Sequence, residues 1–141
     1  MRKNILKYNI EEYIPQREPV IMVDGLSEAG ENYAISFFEI KDDNIFVQDG
    51  VFSETGIIEH MAQTAALSSG YKAKQQGEEI KTGFIGSIKN FTLYKQVKVS
   101  DLLVSKLEQL AEVMNASIVQ VKTYINNELI AEVEFKIFLL P

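Results

Sequence analysis

VFSETGIIEHMAQTAALSSGY, residues 51–71, reads as one helix with a carboxylate in its early turns. Ser53 suits the N-cap, because its hydroxyl accepts an otherwise orphaned backbone N–H. Glu54 adds negative charge where the helix dipole favours it. Ile57, Ile58, Met61, Ala62, Ala65, Ala66 and Ser69 then recur at helical spacing and gather most of the apolar side chains on one face. Glu59 falls at the edge of that face, and Gln63 lies one turn on, within reach of it. His60 projects about 100° away from Glu59. Ala62, Ala65, Ala66, Ser68, Ser69 and Gly70 are small, so a sheet or a second subunit can approach closely. The pattern predicts a helix wrapped by other structure, with one acid beside a buried surface.

The flanks supply the wrapping. Residues 5–13 are amphipathic and predict a short helix. Pro15 and Pro19 bracket an extended turn, since each fixes its own φ and moves its predecessor out of the α region. Residues 20–26, VIMVDGL, read as a buried strand, and residues 33–40, YAISFFEI, as a second strand rich in β-formers. Beyond the helix, residues 72–83 are polar and carry glycine, as a loop or a fraying helix end does. Residues 84–99, 102–110, 117–125 and 129–140 predict four more strands. Asn126 and Asn127 mark a two-residue hairpin turn between the last two. Strands in runs, separated by one long helix, indicate an α+β fold with the helix on an antiparallel sheet. One helix leaves part of such a sheet uncovered, and a homodimer or larger oligomer is the simplest way to close it.

The chain has 141 residues, enough for one domain with a core, so residues 1–141 are read as a single domain. It has no cysteine, which removes disulfides, thiol nucleophiles and zinc–thiolate sites. A single histidine rules out a multi-histidine metal site within one chain. Neither a metal nor a cofactor is expected. The net charge of −6 counts against nucleic acid, which needs a basic footprint. No apolar run reaches the roughly 18 residues of a membrane span, and the first residues do not read as a signal peptide, so the expected location is the cytoplasm.

Three blocks carry a family resemblance. IPQREPVIMVDGL (residues 14–26) resembles the opening motif of the 3-hydroxyacyl-acyl-carrier-protein dehydratases. GIIEHMAQTAA (residues 56–66) resembles their helix motif, an acid followed by Met-Ala-Gln. GFIGSIKNFTLYKQVKVSDLL (residues 83–103) resembles their third-strand block. The resemblance spans nearly the whole chain in the right order and implies the hot-dog fold, a curved antiparallel sheet around a central helix. It carries the catalytic glutamate onto Glu59 and the helix glutamine onto Gln63. Two departures stand out. Gln16 replaces a histidine of the opening motif, and the loop before the helix shrinks to about QDGVFSE (residues 48–54), without the catalytic histidine. The shortened loop is similar to that of dehydratase-like proteins from aryl polyene pigment clusters.

The implied activity is β-elimination of water from a 3-hydroxyacyl thioester carried by acyl carrier protein or coenzyme A. That reaction needs a base for the C2 proton and an acid for the departing hydroxyl. Glu59 is the candidate acid. Gly56 would let the thioester carbonyl approach backbone N–H groups at the helix start. Ile57, Met61, Phe84 and Ile85 are expected to line an apolar tunnel for the acyl chain, with Gln63 beside the acid. The structural alternative for Glu59 is a buried acid satisfied by Gln63 and backbone. His60 reads better as a bystander than as the missing base, on its angle to Glu59. Two other functions stay open: an acyl thioesterase that uses Glu59 alone, and a non-catalytic subunit whose partner supplies the histidine.

Overall fold

The computed structural model describes residues 5–7 and 9–140. Its single long helix, α1 (Glu54–Gln75), lies on a six-stranded antiparallel sheet. The strands are β1 (Gly25–Ala29), β2 (Tyr33–Glu39), β5 (Gly83–Leu93), β7 (Leu102–Val113), β8 (Ala116–Ile125) and β9 (Glu128–Leu139), in the spatial order β1-β2-β7-β8-β9-β5. Three two-residue strands, β3 (Val47–Gln48), β4 (Val51–Phe52) and β6 (Val97–Lys98), form a small second sheet next to the helix start. This is the α+β hot-dog architecture. No described helix is long and apolar enough to cross a membrane.

Local chemistry explains most boundaries. Ser53 caps α1, its Oγ accepting the Gly56 N–H at 3.2 Å. Asn126 and Asn127 both take positive φ, 50° and 65°, which a tight turn between twisted strands requires. Along β8, Val119, Val121 and Thr123 are buried while Gln120 and Lys122 are half-buried, so period-two alternation sets the face. The core between sheet and helix gathers Phe38, Phe52, Ile57, Met61, Leu103, Val121, Val133 and Phe135.

Two expected elements differ. The predicted helix over residues 5–13 is reduced to a 3-10 turn at Ile10–Glu12, with Tyr8 outside the described residues. Leu6 instead pairs with Leu26 through Leu26 N–H to Leu6 O, at 2.7 Å, and Leu6 N–H to Leu26 O, at 3.1 Å. That contact shields the outer edge of β1 and leaves β5 as the other edge of the sheet. The predicted strand over residues 20–26 begins only at Gly25. Its backbone is not idle: Met22 N–H donates to Gln63 Oε1 at 2.6 Å, and Met22 O accepts from His60 Nδ1 at 2.7 Å. Helix side chains take the hydrogen bonds that a neighbouring strand would have taken.

The buried face of α1 is correspondingly turned from the one the apolar pattern predicts. Ile58, Ala62 and Ala66 are half-buried and Ser69 is exposed, whereas His60, Gln63 and Thr64 are fully buried. Close approach at the far end depends on Gly70, where an added Cβ would stand 2.2 Å from the Tyr13 carbonyl oxygen. Gly70→Ala should therefore push residue 13 off the helix. The expected cost is about 1–3 kcal/mol, read as a drop of several degrees in the thermal midpoint. An unchanged or raised midpoint, as a bare gain in helix propensity would give, contradicts this packing.

Candidate functional site

Glu59 lies in the second turn of α1 and is half-buried. Its Oε2 accepts a hydrogen bond from Gln63 Nε2 at 2.8 Å, the i, i+4 contact expected from spacing. Gln63 is 0% exposed, and every polar atom of its amide is committed. Oε1 accepts from Met22 N, and Nε2 donates to Val20 O at 2.7 Å as well as to Glu59. The glutamine thus clamps residues 20–22 to the helix and holds one oxygen of the acid.

His60 is also 0% exposed and stacks on Phe38, ring centroids 5.8 Å apart. Because a carbonyl only accepts, Nδ1 carries the proton donated to Met22 O. In the neutral ring Nε2 must then accept from Ser105 Oγ, at 2.8 Å, and Ser105 Oγ in turn accepts from Thr123 Oγ1 at 2.7 Å. Ser36 and Thr64 form a side branch at 2.7 Å, with Thr64 Oγ1 donating to the His60 carbonyl at 2.9 Å. Ser36, Thr64, Ser105 and Thr123 are all fully buried. Burial lowers the His60 pKa to about 4, the Met22 carbonyl opposing only part of the loss of water. The histidine is a neutral structural group with both nitrogens occupied.

The remaining expected site residues are dispersed. Ile57 and Met61 are wholly inside the core, and Ile85 packs against the same cluster. Phe84, its neighbour on β5, points to the opposite face, where it is 51% exposed and stacked on Phe138 at 5.4 Å. It does not share a tunnel wall with Ile57 and Met61 in this chain. Gly56 is packed by its own chain. Its N–H is taken by Ser53, and a Cβ there would meet the Phe52 and Phe46 side chains at 2.6 and 2.7 Å. The glycine makes room for two aromatic rings of its own chain. Two open clefts, of about 300 and 580 Å³, share Asp24, Glu39 and Lys41, and Glu59 lines neither. Burial raises the Asp24 pKa there, against the Glu39 N–H that the carboxylate accepts. No group of metal-ligating side chains occurs among the described residues.

Sequence reasoning missed the hydroxyls of Ser36, Ser105 and Thr123. A signal for them existed. Ser105 interrupts Leu103 and Leu107, and Thr123 follows Val119 and Val121, so each falls on the inward phase of its strand.

A family model described as ApeP-like, ApeP dehydratase, matches residues 8–139. No curated protein matches the chain. Among solved structures, the dehydratase heterocomplex ApeI:P from Xenorhabdus doucetiae superposes with a TM-score of 0.86 at 15% identity, covering 94% of this chain and 91% of that one. A Streptococcus mutans protein bound to acetyl CoA gives 0.71 at 14% identity, over 91% and 96% of the two chains. A hypothetical thioesterase with coenzyme A from Streptococcus pneumoniae gives 0.67 at 11%, over 82% and 84%. These likenesses establish the shared fold.

The buried histidine has a measurable signature. Unfolded, it titrates near 6.5; folded, near 4. Between those values the unfolded chain binds the extra proton, so this part of the stability is complete above pH 6.5 and is lost as pH falls towards 4, by up to about 1.4 kcal/mol per pH unit. The advantage of wild type over His60→Asn in urea unfolding should therefore shrink across that window. A pH-independent difference would show that His60 is not held neutral.

Proposed function

We propose a function from one premise, that the chain belongs to the ApeP-like family, ApeP dehydratase: it is a dehydratase-like subunit that contributes Glu59 to a two-chain site for 3-hydroxyacyl thioesters. The observation that carries this reading is the state of the only histidine. His60 is sealed in the core with both nitrogens bonded, so it cannot serve as the base. Elimination needs two proton handlers, and this chain presents one.

In the proposed reaction a histidine of a second chain removes the C2 proton. The electron pair forms the C2–C3 double bond as the C3–O bond breaks. Glu59 gives a proton through Oε1 to the departing hydroxyl, and water and an enoyl thioester leave. Gln63 occupies Oε2, which orients Oε1 for the transfer. Gly56, Ile57, Met61 and Ile85 shape the floor below the acid, and the acyl channel with Phe84 is completed by the second chain. The uncovered edge of β5, with Phe84 and Ile88 about half exposed along it, supports strand pairing there. Two copies of this chain pairing at that edge give a homodimer with no histidine free to reach substrate, so the productive assembly is the mixed one. The structural neighbours that hold coenzyme A or acetyl CoA support an acyl thioester as ligand. Its carrier is acyl carrier protein or coenzyme A, in fatty acid or polyene-type biosynthesis in the cytoplasm.

Light scattering should find at least a dimer at micromolar concentration. Alone, the chain should form enoyl product from 3-hydroxyacyl thioesters about 10²–10⁴ more slowly than when paired with a histidine-bearing hot-dog chain. In the pair, Glu59→Gln should abolish turnover and spare thioester binding, because an amide keeps the shape but cannot exchange the proton. Rapid dehydration by the lone chain would overturn the two-chain reading. Release of free thiol from saturated acyl thioesters, with no enoyl product, would replace it with a thioesterase.

A further inference from the structure

The hydrogen bonds around His60 and Gln63 share one direction. Thr123 donates to Ser105, and Ser105 donates to His60 Nε2. His60 Nδ1 donates to Met22 O, Met22 N donates to Gln63 Oε1, and Gln63 Nε2 donates to Glu59 Oε2. The series runs from the middle of the sheet, across residue 22, to the edge of the helix where the acid sits. Its direction has no freedom at either junction. The Met22 carbonyl forces the Nδ1–H tautomer, and the Met22 N–H forces the Gln63 oxygen inwards and its NH₂ outwards. A reversed Gln63 amide would face N–H against N–H at Met22 and oxygen against oxygen at both Val20 and Glu59.

The geometry points to His60 as a positioning residue: by holding Met22 it fixes the Gln63 amide, and through it which oxygen of Glu59 is left to meet the substrate. The catalytic meaning of this rests on the dehydratase reading above; the geometry does not. His60 itself never touches the reacting atoms. It acts through two intermediaries, as the outer ligands of a metal site fix inner ones. Satisfied buried networks of this kind are stiff, because each bond polarises the next and any loss strands a polar group away from water.

The test reads Gln63 directly. In ¹⁵N-labelled wild type, the Gln63 side-chain NH₂, identified by its loss in Gln63→Met, should show two well-separated protons, both slow to exchange with solvent. His60→Phe retains a ring against Phe38 but has no donor; His60→Leu removes ring and donor; His60→Asn can still place an N–H against Met22 O. The two apolar variants should collapse the Gln63 proton separation and speed exchange at least tenfold, while His60→Asn restores the wild-type pattern. Far-ultraviolet circular dichroism confirms that each variant is folded. In the two-chain assembly the apolar variants should lower kcat by up to about 10² with KM little changed, the mark of a misplaced group. Rapid exchange of the Gln63 amide in wild type would overturn the inference, whatever the variants do. So would apolar variants that fold and leave Gln63 unchanged. If the assembly shows no dehydration but the Gln63 signals respond as stated, the positioning stands and the dehydratase reading fails.

Discussion

Everything in this structure that bears on chemistry depends on the capture of one residue's backbone by two helix side chains. Met22 gives its N–H to Gln63 and its carbonyl to His60, three positions apart on α1. That spacing puts both side chains on one stripe of the helix, so a single extended residue can bridge them. The segment over residues 20–22 is thereby laid along the helix, and bonding to β2 starts only at Asp24, whose N–H donates to Phe37 O at 2.8 Å. Gln63 is left with one direction in which to donate, and Glu59 lies there.

The capture also settles how the core is built. A helix facing a sheet normally buries apolar side chains, and three fully buried polar residues on one face would be costly if unpaired. Here the strands answer with hydroxyls at matching positions: Ser36 on β2, Ser105 on β7 and Thr123 on β8. Antiparallel register sets Ser36 opposite Ser105 and Ser105 opposite Thr123, which forms a row of hydroxyls across three strands beneath the helix. A slip of one residue in either pair would turn a hydroxyl outwards and break the row that meets Thr64 at Ser36 and His60 at Ser105. The polar row therefore ties helix placement to sheet register more tightly than interchangeable methyl groups do.

Much of this was legible in the chain. The Ser53 cap, the Asn126–Asn127 turn and the alternation in β8 each have a local cause, and local causes can be read from sequence. The Glu59–Gln63 contact was legible for the same reason, being one helical turn. The rotation of the helix was not, since His60, Gln63 and Thr64 look like surface residues until their partners are known, and those partners lie 28 to 45 positions away in the chain. At position 56 the glycine leaves room that Phe46 and Phe52 fill. The resemblance to dehydratases pointed to Glu59 as the candidate acid and to the missing histidine together. The structure then explained why the histidine that is present cannot stand in.

That last point is the hinge between fold and function, and the imidazole of His60 can be observed by itself. Long-range ¹H–¹⁵N correlation on the folded protein should show one pyrrole-like nitrogen, Nδ1, and one pyridine-like nitrogen, Nε2. The pattern should stay unchanged from pH 8 down to pH 5, consistent with a pKa near 4. A ring that is protonated near neutral pH, or that carries its proton on Nε2, would contradict the account. It would break the chain of donors to Glu59 and return His60 to the reaction as a candidate base.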